Sequence, residues 1–124
     1  MSDKIRVLLV DDEQLILNSL RRVLLRGPFD VALANSGPAA LAYLEANTVD
    51  LIVSDYKMPR MTGIEFLREA APRWPEIRRY MLTAQADKEV LDAALADGLL
   101  HGVFKKPWNS AELIEALSAS GPTS

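Results

Sequence analysis

Apolar stretches of strand length alternate with helix-period segments five times along this chain of 124 residues. The first strand is predicted at roughly 5–10. The helical pattern after it places four apolar side chains on one face: Ile16, Leu20, Val23 and Leu24. Strands that alternate with helices in this way form a parallel sheet with helices on both faces. The sequence therefore predicts one α/β domain of five βα units over 1–120, followed at 121–124 by a tail or the start of a linker.

Capping and helix-ending residues mark where the other strands and helices begin and end. Further strands are predicted at 31–34, 49–54, 80–82 and 101–105. Helix starts are predicted at three capping side chains: Ser36, Thr62 of a Thr-x-x-Glu capping box, and Asn109. Pro72 and Pro75 are expected to close the third helix, and Gly98 the fourth. The fourth helix would carry an apolar stripe of Val90, Leu91, Ala94 and Leu95.

The composition is that of an ordinary soluble globular domain, with 49% hydrophobic and 25% charged residues. The chain has no cysteine, which fits a reducing, cytoplasmic setting. A net charge of −3 argues against a general nucleic-acid-binding surface. Two groups of arginines are instead expected on solvated helix faces: Arg21, Arg22 and Arg26, and the pair Arg78-Arg79. No apolar run approaches the ~20 residues that a membrane span needs, and no signal-peptide pattern is present.

Charged or hydroxyl side chains stand at the ends of four of the five apolar runs. Asp11 and Asp12 follow the first, Asp55 ends the third, Thr83 ends the fourth and Lys106 follows the fifth. Ligands of open parallel sheets bind beyond the carboxyl ends of the strands, where these side chains would meet. Carboxylate oxygens suit Mg²⁺, and an ammonium and a hydroxyl suit phosphoryl oxygens. The pattern indicates a site for a hard cation and a phosphoryl group, with an aspartate able to act as a nucleophile.

Each of these residues has an ordinary explanation when it is taken alone. The acidic pair could cap a helix, where it would favour the helix dipole. Asp55 could be a turn residue, and Thr83 and Lys106 could be a loop hydroxyl and a solvated ammonium. Their joint occurrence at strand ends favours the functional interpretation. His101, the only histidine, has no ligand partner of its own type and is expected in a surface or packing role.

Four short segments fall in order along the chain and share the pattern of one family. They are Val-Asp-Asp-Glu at 10–13, Ser-Asp-Tyr-Lys-Met-Pro-Arg-Met-Thr-Gly at 54–63, Leu-Thr-Ala at 82–84 and Lys-Pro at 106–107. With them, the chain resembles the response-regulator receiver domains of bacterial two-component systems, from about residue 5 to 117. On fewer residues, it resembles receivers fused to cyclic-di-GMP phosphodiesterase-type domains, transcriptional activators or hybrid kinases.

The resemblance implies a flavodoxin-like (βα)5 fold with a five-stranded sheet of order 2-1-3-4-5. It also implies that Asp55 accepts a phosphoryl group from the phosphohistidine of a histidine kinase, with Thr83 and Lys106 as further site residues. The cofactor would be Mg²⁺. Its implied ligands are Asp11, Asp12, Asp55 and the backbone carbonyl of Lys57. The Lys106-Pro107 bond would be cis, which is rare among X-Pro bonds in general.

A switch surface is implied as well, consisting of Ala84, Val103, Phe104, Pro107 and Trp108. Receivers commonly carry an aromatic switch residue three positions before the site lysine. Here Val103 holds that position and the aromatic Phe104 comes one residue later, which turns it to the opposite face of a strand. Either the usual aromatic switch is missing or Lys105 is the site lysine, and Pro107 favours Lys106. Trp108 could pack under the last helix or anchor a partner.

The expected function is a phosphorylation-controlled signalling switch and not an enzyme. Phosphorylation would change the surface of the fourth helix, fifth strand and fifth helix. The expected partners are a sensor histidine kinase or phosphotransfer protein and a downstream effector domain or protein. A phosphorylation-dependent homodimer is left open, and direct contact with nucleic acid or membrane is not expected.

Three alternative functions compete with this expectation. A docking receiver that works without phosphorylation stays open because of Val103. An aspartyl-nucleophile phosphohydrolase usually needs an acid/base carboxylate two residues after the nucleophile, where this chain has Lys57, so only slow self-dephosphorylation is expected. A nucleotide- or flavin-binding module would need a Gly-rich phosphate loop after the first strand, where Asp-Asp-Glu stands at 11–13.

Overall fold

The computed structural model describes residues 4–84 and 87–119, in which five β-strands and five α-helices alternate. The strands are β1 (Ile5–Val10), β2 (Phe29–Ala34), β3 (Leu51–Asp55), β4 (Arg78–Thr83) and β5 (Gly102–Lys105). The helices are α1 (Gln14–Leu24), α2 (Gly37–Ala46), α3 (Gly63–Arg73), α4 (Lys88–Ala96) and α5 (Ser110–Ser118). No helix in the described ranges is long and apolar enough to cross a membrane. The tail predicted at 121–124 lies outside these ranges.

All five strands are parallel and form one sheet in the order β2-β1-β3-β4-β5. The predicted flavodoxin-like (βα)5 fold with strand order 2-1-3-4-5 is therefore confirmed. β3 lies at the centre of the sheet, and all five of its residues are buried. A central parallel strand is covered by helices on both sides, which is why its sequence is apolar on both parities.

Two hydrophobic layers cover the two faces of the sheet. One layer lies under α2, α3 and α4 and includes Leu8, Leu44, Ile52, Leu67 and Met81. The other lies under α1 and α5 and includes Val7, Leu17, Val53, Leu82 and Leu113. Successive residues of each strand contribute to opposite layers, because side chains alternate across a strand. This packing on both faces fixes the position of each strand end and of the polar residue that follows it.

The three capping side chains predicted from the sequence begin their helices as expected. The Ser36 hydroxyl accepts the N–H of Ala39 at the start of α2. At the start of α3, Thr62 and Glu65 form a reciprocal capping box. The Asn109 side chain accepts a backbone N–H at the start of α5. These caps satisfy backbone donors that have no partner inside the helix.

The boundaries of β2, β3, β4 and β5 differ from the prediction by one or two residues. β2 begins at Phe29, two residues before the predicted strand, because Phe29 pairs with Ile5 and the Ile5 N–H donates to the carbonyl of Pro28. α3 ends at Arg73, between Pro72 and Pro75, as predicted. A proline in the last turn removes only one intrahelical hydrogen bond, so the helix ends just after it and not before it.

The expected placement of two other groups is wrong. Arg78 and Arg79 were predicted on a solvated helix face, but they open β4. Arg79 is buried, with 7% of its surface exposed, because backbone carbonyls surround its guanidinium. In the predicted stripe of α4, Ala94 is buried whereas Leu95 is 41% exposed. The first arginine group is exposed as predicted, with Arg21 and Arg22 on α1 and Arg26 in the turn that follows it.

Candidate functional site

The acidic residues at the ends of β1 and β3 lie next to each other at the carboxyl edge of the sheet. β1 and β3 pair with Val10 opposite Ser54, so the next residues, Asp11 and Asp55, are neighbours. Both aspartates are buried. The strand register, which the apolar packing fixes, thus brings together two carboxylates that are far apart in the sequence.

A lysine from the end of β5 completes this cluster. Thr83 pairs with Lys105, and the backbone N–H of the next residue, Lys106, donates to the Thr83 carbonyl over 3.0 Å. The Lys106 ammonium lies 2.9 Å from Oδ2 of Asp11 and 3.3 Å from Oδ1 of Asp55. The side chain of Lys105 is exposed. Of the two candidate lysines, the structure therefore brings Lys106 to the acidic group.

The surroundings of Asp55 disfavour its negative charge. Burial raises the pKa of Asp55, and the neighbouring charge of Asp11 raises it further. The Lys106 ammonium and the backbone N–H of Tyr56 act in the opposite direction but do not cancel these effects. A carboxylate whose charge is poorly compensated gains from any further positive charge that comes close.

Lys106 stays protonated in this position. Burial alone would lower its pKa, but the hydrogen bond to Asp11 and the charges of Asp11 and Asp55 outweigh burial and raise the pKa. One ammonium therefore stands among several carboxylates. The cluster has more acidic groups than this lysine can neutralise.

The carboxylates fit a hard cation with oxygen ligands. Ligand oxygens of Asp11, Asp12 and Asp55 all lie within 4.8 Å of one another. Asp12 is exposed, so the group opens to solvent on one side. Lys57 is exposed in the loop after β3, and the proposed use of its backbone carbonyl stays a prediction. Oxygen donors in this number, with a water-accessible side, suit Mg²⁺.

Backbone amides hold the orientation of the two buried carboxylates. Oδ1 of Asp11 accepts the N–H of Glu13 over 2.9 Å. Oδ1 of Asp55 accepts the N–H of Tyr56 over the same distance, 2.9 Å. Hydrogen bonds from fixed backbone groups leave each carboxylate with little rotational freedom, so the site is arranged before any ligand binds.

Two residues that support Asp55 were not predicted. The buried Ser54 hydroxyl donates to the Asp55 backbone carbonyl over 2.9 Å. Gly63, at the first position of α3, approaches the same carbonyl so closely that a Cβ atom would overlap its oxygen. A glycine at a helix start soon after Asp55 was a usable signal for this close approach. Nothing in the sequence distinguishes Ser54 from other buried serines.

Two of the predicted switch residues, Val103 and Phe104, lie on opposite faces of β5. Val103 packs against the layer under α2, α3 and α4, whereas Phe104 packs against the layer under α1 and α5. Ala84 and Pro107 are exposed, and the peptide bond before Pro107 is cis, as the resemblance implies. Trp108 is half-buried beside α5. An aromatic side chain is therefore absent from the face of β5 that Val103 occupies.

Comparison with known families shows which family the chain belongs to. A family model for the response regulator receiver domain matches residues 7–118. The chain belongs to this family. The predicted recognition as a receiver domain of two-component systems is thereby confirmed. Receiver domains are signalling domains controlled by phosphorylation, for which phosphorylation and Mg²⁺ are typical.

Individual relatives support this assignment of the receiver domain. The chain is 38% identical to the hydrogenase transcriptional regulatory protein HoxA of Cupriavidus necator over 118 residues, which is 94% of this chain and 24% of HoxA. It is 30% identical to the transcriptional regulatory protein DegU of Brevibacillus brevis, covering 93% of this chain and 49% of DegU. The receiver domain thus spans between about a quarter and a half of these relatives.

Solved receiver structures have the same fold. The signal receiver domain of an HD domain-containing protein from Pseudomonas fluorescens superimposes with a TM-score of 0.88 at 30% identity, covering 94% of both chains. The chemotaxis protein CheY4 of Vibrio cholerae gives a TM-score of 0.86 at 30% identity, covering 94% of this chain and 98% of CheY4.

Proposed function

We propose that this receiver domain is switched by phosphorylation of Asp55, with a sensor histidine kinase or phosphotransfer protein as donor. The observation that carries the proposal is the position of Asp55. It is a buried carboxylate at the carboxyl end of β3, with the Lys106 ammonium 3.3 Å away. A positive charge fixed beside a nucleophilic carboxylate offsets the charge of an incoming phosphoryl group.

The acidic residues favour Mg²⁺ as the cofactor. The side chains of Asp11, Asp12 and Asp55, with the backbone carbonyl of Lys57, would hold it. When bound, the metal supplies positive charge that screens the carboxylates from the phosphoryl oxygens. Asp12 is the exposed member of this group and leaves one side of the site open to a donor.

The proposed transfer is a substitution at phosphorus. An Asp55 oxygen forms a new O–P bond while the N–P bond of the donor phosphohistidine breaks, and the electron pair leaves with the histidine nitrogen. Oδ1 of Asp55 accepts the N–H of Tyr56 and faces Lys106. Because Tyr56 and Lys106 both engage Oδ1, we take Oδ2 as the proposed nucleophile. Water later hydrolyses the acyl phosphate to Asp55 and inorganic phosphate.

Thr83 and Lys106 are the proposed contacts of the phosphoryl group. A hydroxyl and an ammonium can both donate hydrogen bonds to its oxygens. Movement of Thr83 towards the phosphoryl group would shift the loop after β4. The surface of α4, β5 and α5 would change with it, including Val103 and Trp108. An effector responds to this change only as far as its affinity differs between the two states.

Repeated turnover of external phosphate esters is not part of this proposal. An aspartyl phosphohydrolase usually needs an acid/base carboxylate two positions after the nucleophile. The side chain two positions after Asp55 is that of Lys57, which is exposed and carries no carboxylate. We therefore expect the domain to catalyse only its own phosphorylation and slow dephosphorylation.

We further propose that the domain works in the cytoplasm and regulates an effector domain or a separate partner protein. The greater length of HoxA and DegU supports an attached effector. A phosphorylation-dependent homodimer is another form that this output could take. Direct nucleic-acid contact by the receiver domain itself is not expected, because its net charge is −3.

The test is intact-mass spectrometry after incubation with Mg²⁺ and a small acyl-phosphate donor. Three proteins are compared: the unaltered domain, Asp55→Asn and Asp92→Asn. Asp92 is an exposed aspartate on α4, so its variant controls for the loss of a carboxylate elsewhere. One added phosphoryl group is expected on the unaltered domain and on Asp92→Asn, and none on Asp55→Asn.

The other outcomes of this experiment are equally informative. A phosphoryl group added to Asp55→Asn would show that Asp55 is not the acceptor. If Mg²⁺ binds but no protein gains mass, the small-molecule donor is refused, and the purified kinase partner or phosphotransfer protein is used next. Failure with that donor as well would favour a docking receiver that works without phosphorylation, the alternative raised by Val103.

A further inference from the structure

A buried arginine lies at the end of the sheet opposite the acidic site. Arg79 lies at the start of β4 with 7% of its surface exposed. No described residue places a carboxylate within ion-pair distance of its guanidinium, and burial lowers its pKa. A buried cation is unfavourable unless hydrogen bonds compensate it, so the partners of Arg79 show what holds it there.

Backbone carbonyls from two separate loops provide these partners. In the loop between α3 and β4, Nη1 donates to the carbonyl of Ile77 over 2.8 Å and to that of Pro75 over 3.5 Å. In the loop between α4 and β5, Nε donates to the carbonyl of Leu99 over 2.8 Å and Nη2 to that of Gly98 over 3.3 Å. The guanidinium therefore bridges the loop before β4 and the loop after α4.

The two carbonyls in the second loop lie just past the C-terminal end of α4, two and three residues after Ala96. The hydrogen bonds to Arg79 therefore hold the segment that follows the helix. The same end has further attachments. The Leu99 N–H donates to the side chain of Asp97, and Arg68 on α3 donates to Asp97 over 3.2 Å. The Leu100 N–H donates back to the carbonyl of Ala94.

The rest of α4 is held much more loosely. Ala94 is its only fully buried residue. Val90 and Leu91, which face the core from the first half of the helix, are only half-buried. The side chain that caps the first turn, Asp87, bonds within its own segment, to the N–H of Glu89. A helix with few buried contacts along its length opens locally at low free energy.

We propose that Arg79 clamps the C-terminal end of α4 and makes it the fixed point about which the helix moves. The clamp itself is a property of the resting fold. The direction of movement that it imposes rests on the proposed function, because the switch residue Thr83 precedes the other end of α4. A phosphorylation signal would then displace the first half of α4 and leave the segment 97–100 in place.

Amide hydrogen exchange of the resting domain tests the clamp without any phosphorylation. The amides of 91–93 report the first half of α4, and those of Asp97, Leu99 and Leu100 report its clamped end. Amides of β1 and β3 report global unfolding and serve as the internal reference. In the unaltered domain, the amides of 91–93 are expected to exchange about tenfold faster than those of the clamped end.

Three variants separate the clamp from its surroundings. Arg79→Met removes all donors while keeping a long apolar stem, and Arg79→Lys keeps the charge with fewer donors in a different geometry. Arg68→Met is the matched control, because it removes only the exposed ion pair with Asp97. Relative to the β1 and β3 amides, Arg79→Met should speed exchange at the clamped end about tenfold or more, as the loss of one or two hydrogen bonds would. Arg79→Lys should give a smaller change of the same sign, and Arg68→Met less than about twofold.

Two results would overturn the clamp. One is equal exchange at 91–93 and at the clamped end in the unaltered domain. The other is an unchanged exchange ratio in Arg79→Met, or in Arg79→Lys if the methionine variant does not fold. The same measurement on the phosphorylated domain tests the direction of movement, with change expected at 91–93 and not at 97–100. Phosphorylation is confirmed by mass, so a failure of Asp55 as acceptor is distinguished from a failure of the clamp.

Discussion

The backbone N–H of Lys106 donates a 3.0 Å hydrogen bond to the carbonyl of Thr83. The two side chains proposed to contact the phosphoryl group are thus joined through their main chains at the ends of neighbouring strands. A displacement of one strand end must either carry the other with it or break this bond. A main-chain displacement of Thr83 that keeps this bond is therefore passed to β5, the strand at the edge of the sheet.

Replacing Lys106 with methionine should strengthen Mg²⁺ binding. The same replacement should prevent the response to phosphorylation. The ammonium lies 2.9 Å from Asp11 and 3.3 Å from Asp55, so it competes with a cation for the same carboxylates. Removal of one positive charge at this distance should raise the Mg²⁺ affinity about tenfold at moderate ionic strength. Isothermal titration calorimetry of Mg²⁺ into both proteins measures this change.

Lys105→Met is the control for the calorimetry. Its side chain is exposed beside the site, and its removal should change the Mg²⁺ affinity less than about twofold. Weaker Mg²⁺ binding in Lys106→Met than in the unaltered domain would contradict the assignment of the acidic group as the metal site. A larger effect from Lys105 than from Lys106 would transfer the proposed role to Lys105.

Much of the fold and the core of the site could be predicted, because both depend on patterns that local sequence carries. Alternating apolar runs and helical stripes determine the order of elements. In a parallel sheet, the residue after each strand then falls at one edge. Asp11, Asp55 and Lys106 could be grouped for this reason, although residue numbers separate them widely. Their assignment to one family further implied the strand order that the structure has.

What could not be predicted depends on where separate loops converge. Arg79 looked like one of two solvated arginines, and only the tertiary structure brings carbonyls from two loops around its guanidinium. The early start of β2 at Phe29 likewise depends on pairing with Ile5. Leu95 fits the helical stripe of α4 by spacing, but α4 is too loosely packed to cover it.

The stability of the domain should fall as pH drops below about 6.5, because of its single histidine. Burial lowers the pKa of His101, and the charges of Arg79 and Arg78 lower it further. Its Nδ1 accepts the backbone N–H of Arg79 over 2.9 Å, which requires an unprotonated nitrogen. The unfolded chain therefore binds the proton at higher pH than the folded one. The stabilisation is complete above the unfolded pKa and is lost as pH falls towards the folded pKa.

His101→Asn isolates this effect, because asparagine offers an acceptor oxygen but does not titrate. Urea unfolding of both proteins from about pH 7.5 to about pH 5.5 gives the difference in free energy of unfolding. The carboxylates titrate alike in both proteins, so their contribution cancels in this difference. The unaltered domain should lose stability relative to the variant across this range, and parallel curves would show that His101 titrates normally in the fold.

Two residues with positive φ should respond to substitution in opposite directions. Gly98 has a φ of 82°, and Arg60 has a φ of 71°. A Cβ at Gly98 would meet no atom within 4 Å, so Gly98→Ala tests backbone conformation alone and should cost about 1 kcal/mol. Arg60→Gly relieves the same strain and should stabilise the domain. The greater freedom of glycine in the unfolded chain offsets part of this gain, so the free energy of unfolding should rise by at most about 1 kcal/mol. Denaturant unfolding measures both, and a stabilising Gly98→Ala would refute the conformational argument.

Adding one methyl group to Gly63 should damage both the stability and the site of the domain. A Cβ there would overlap the carbonyl oxygen of Asp55, which is backbone and cannot move without shifting the proposed phosphoacceptor. We expect Gly63→Ala to cost about 3 kcal/mol and to slow phosphorylation of the folded fraction by small acyl phosphates.

Gly37→Ala is the matched control, because Gly37 is the first residue of α2 as Gly63 is of α3. Its added methyl would meet the sulfur of Met61, the flexible end of a side chain that can move aside. A cost of about 1 kcal/mol and an unchanged phosphorylation rate are expected. Equal losses in the two variants would mean that crowding at a helix start explains the effect in general. A loss confined to Gly63→Ala would tie it to the carbonyl of Asp55, and hence to the position of the nucleophile.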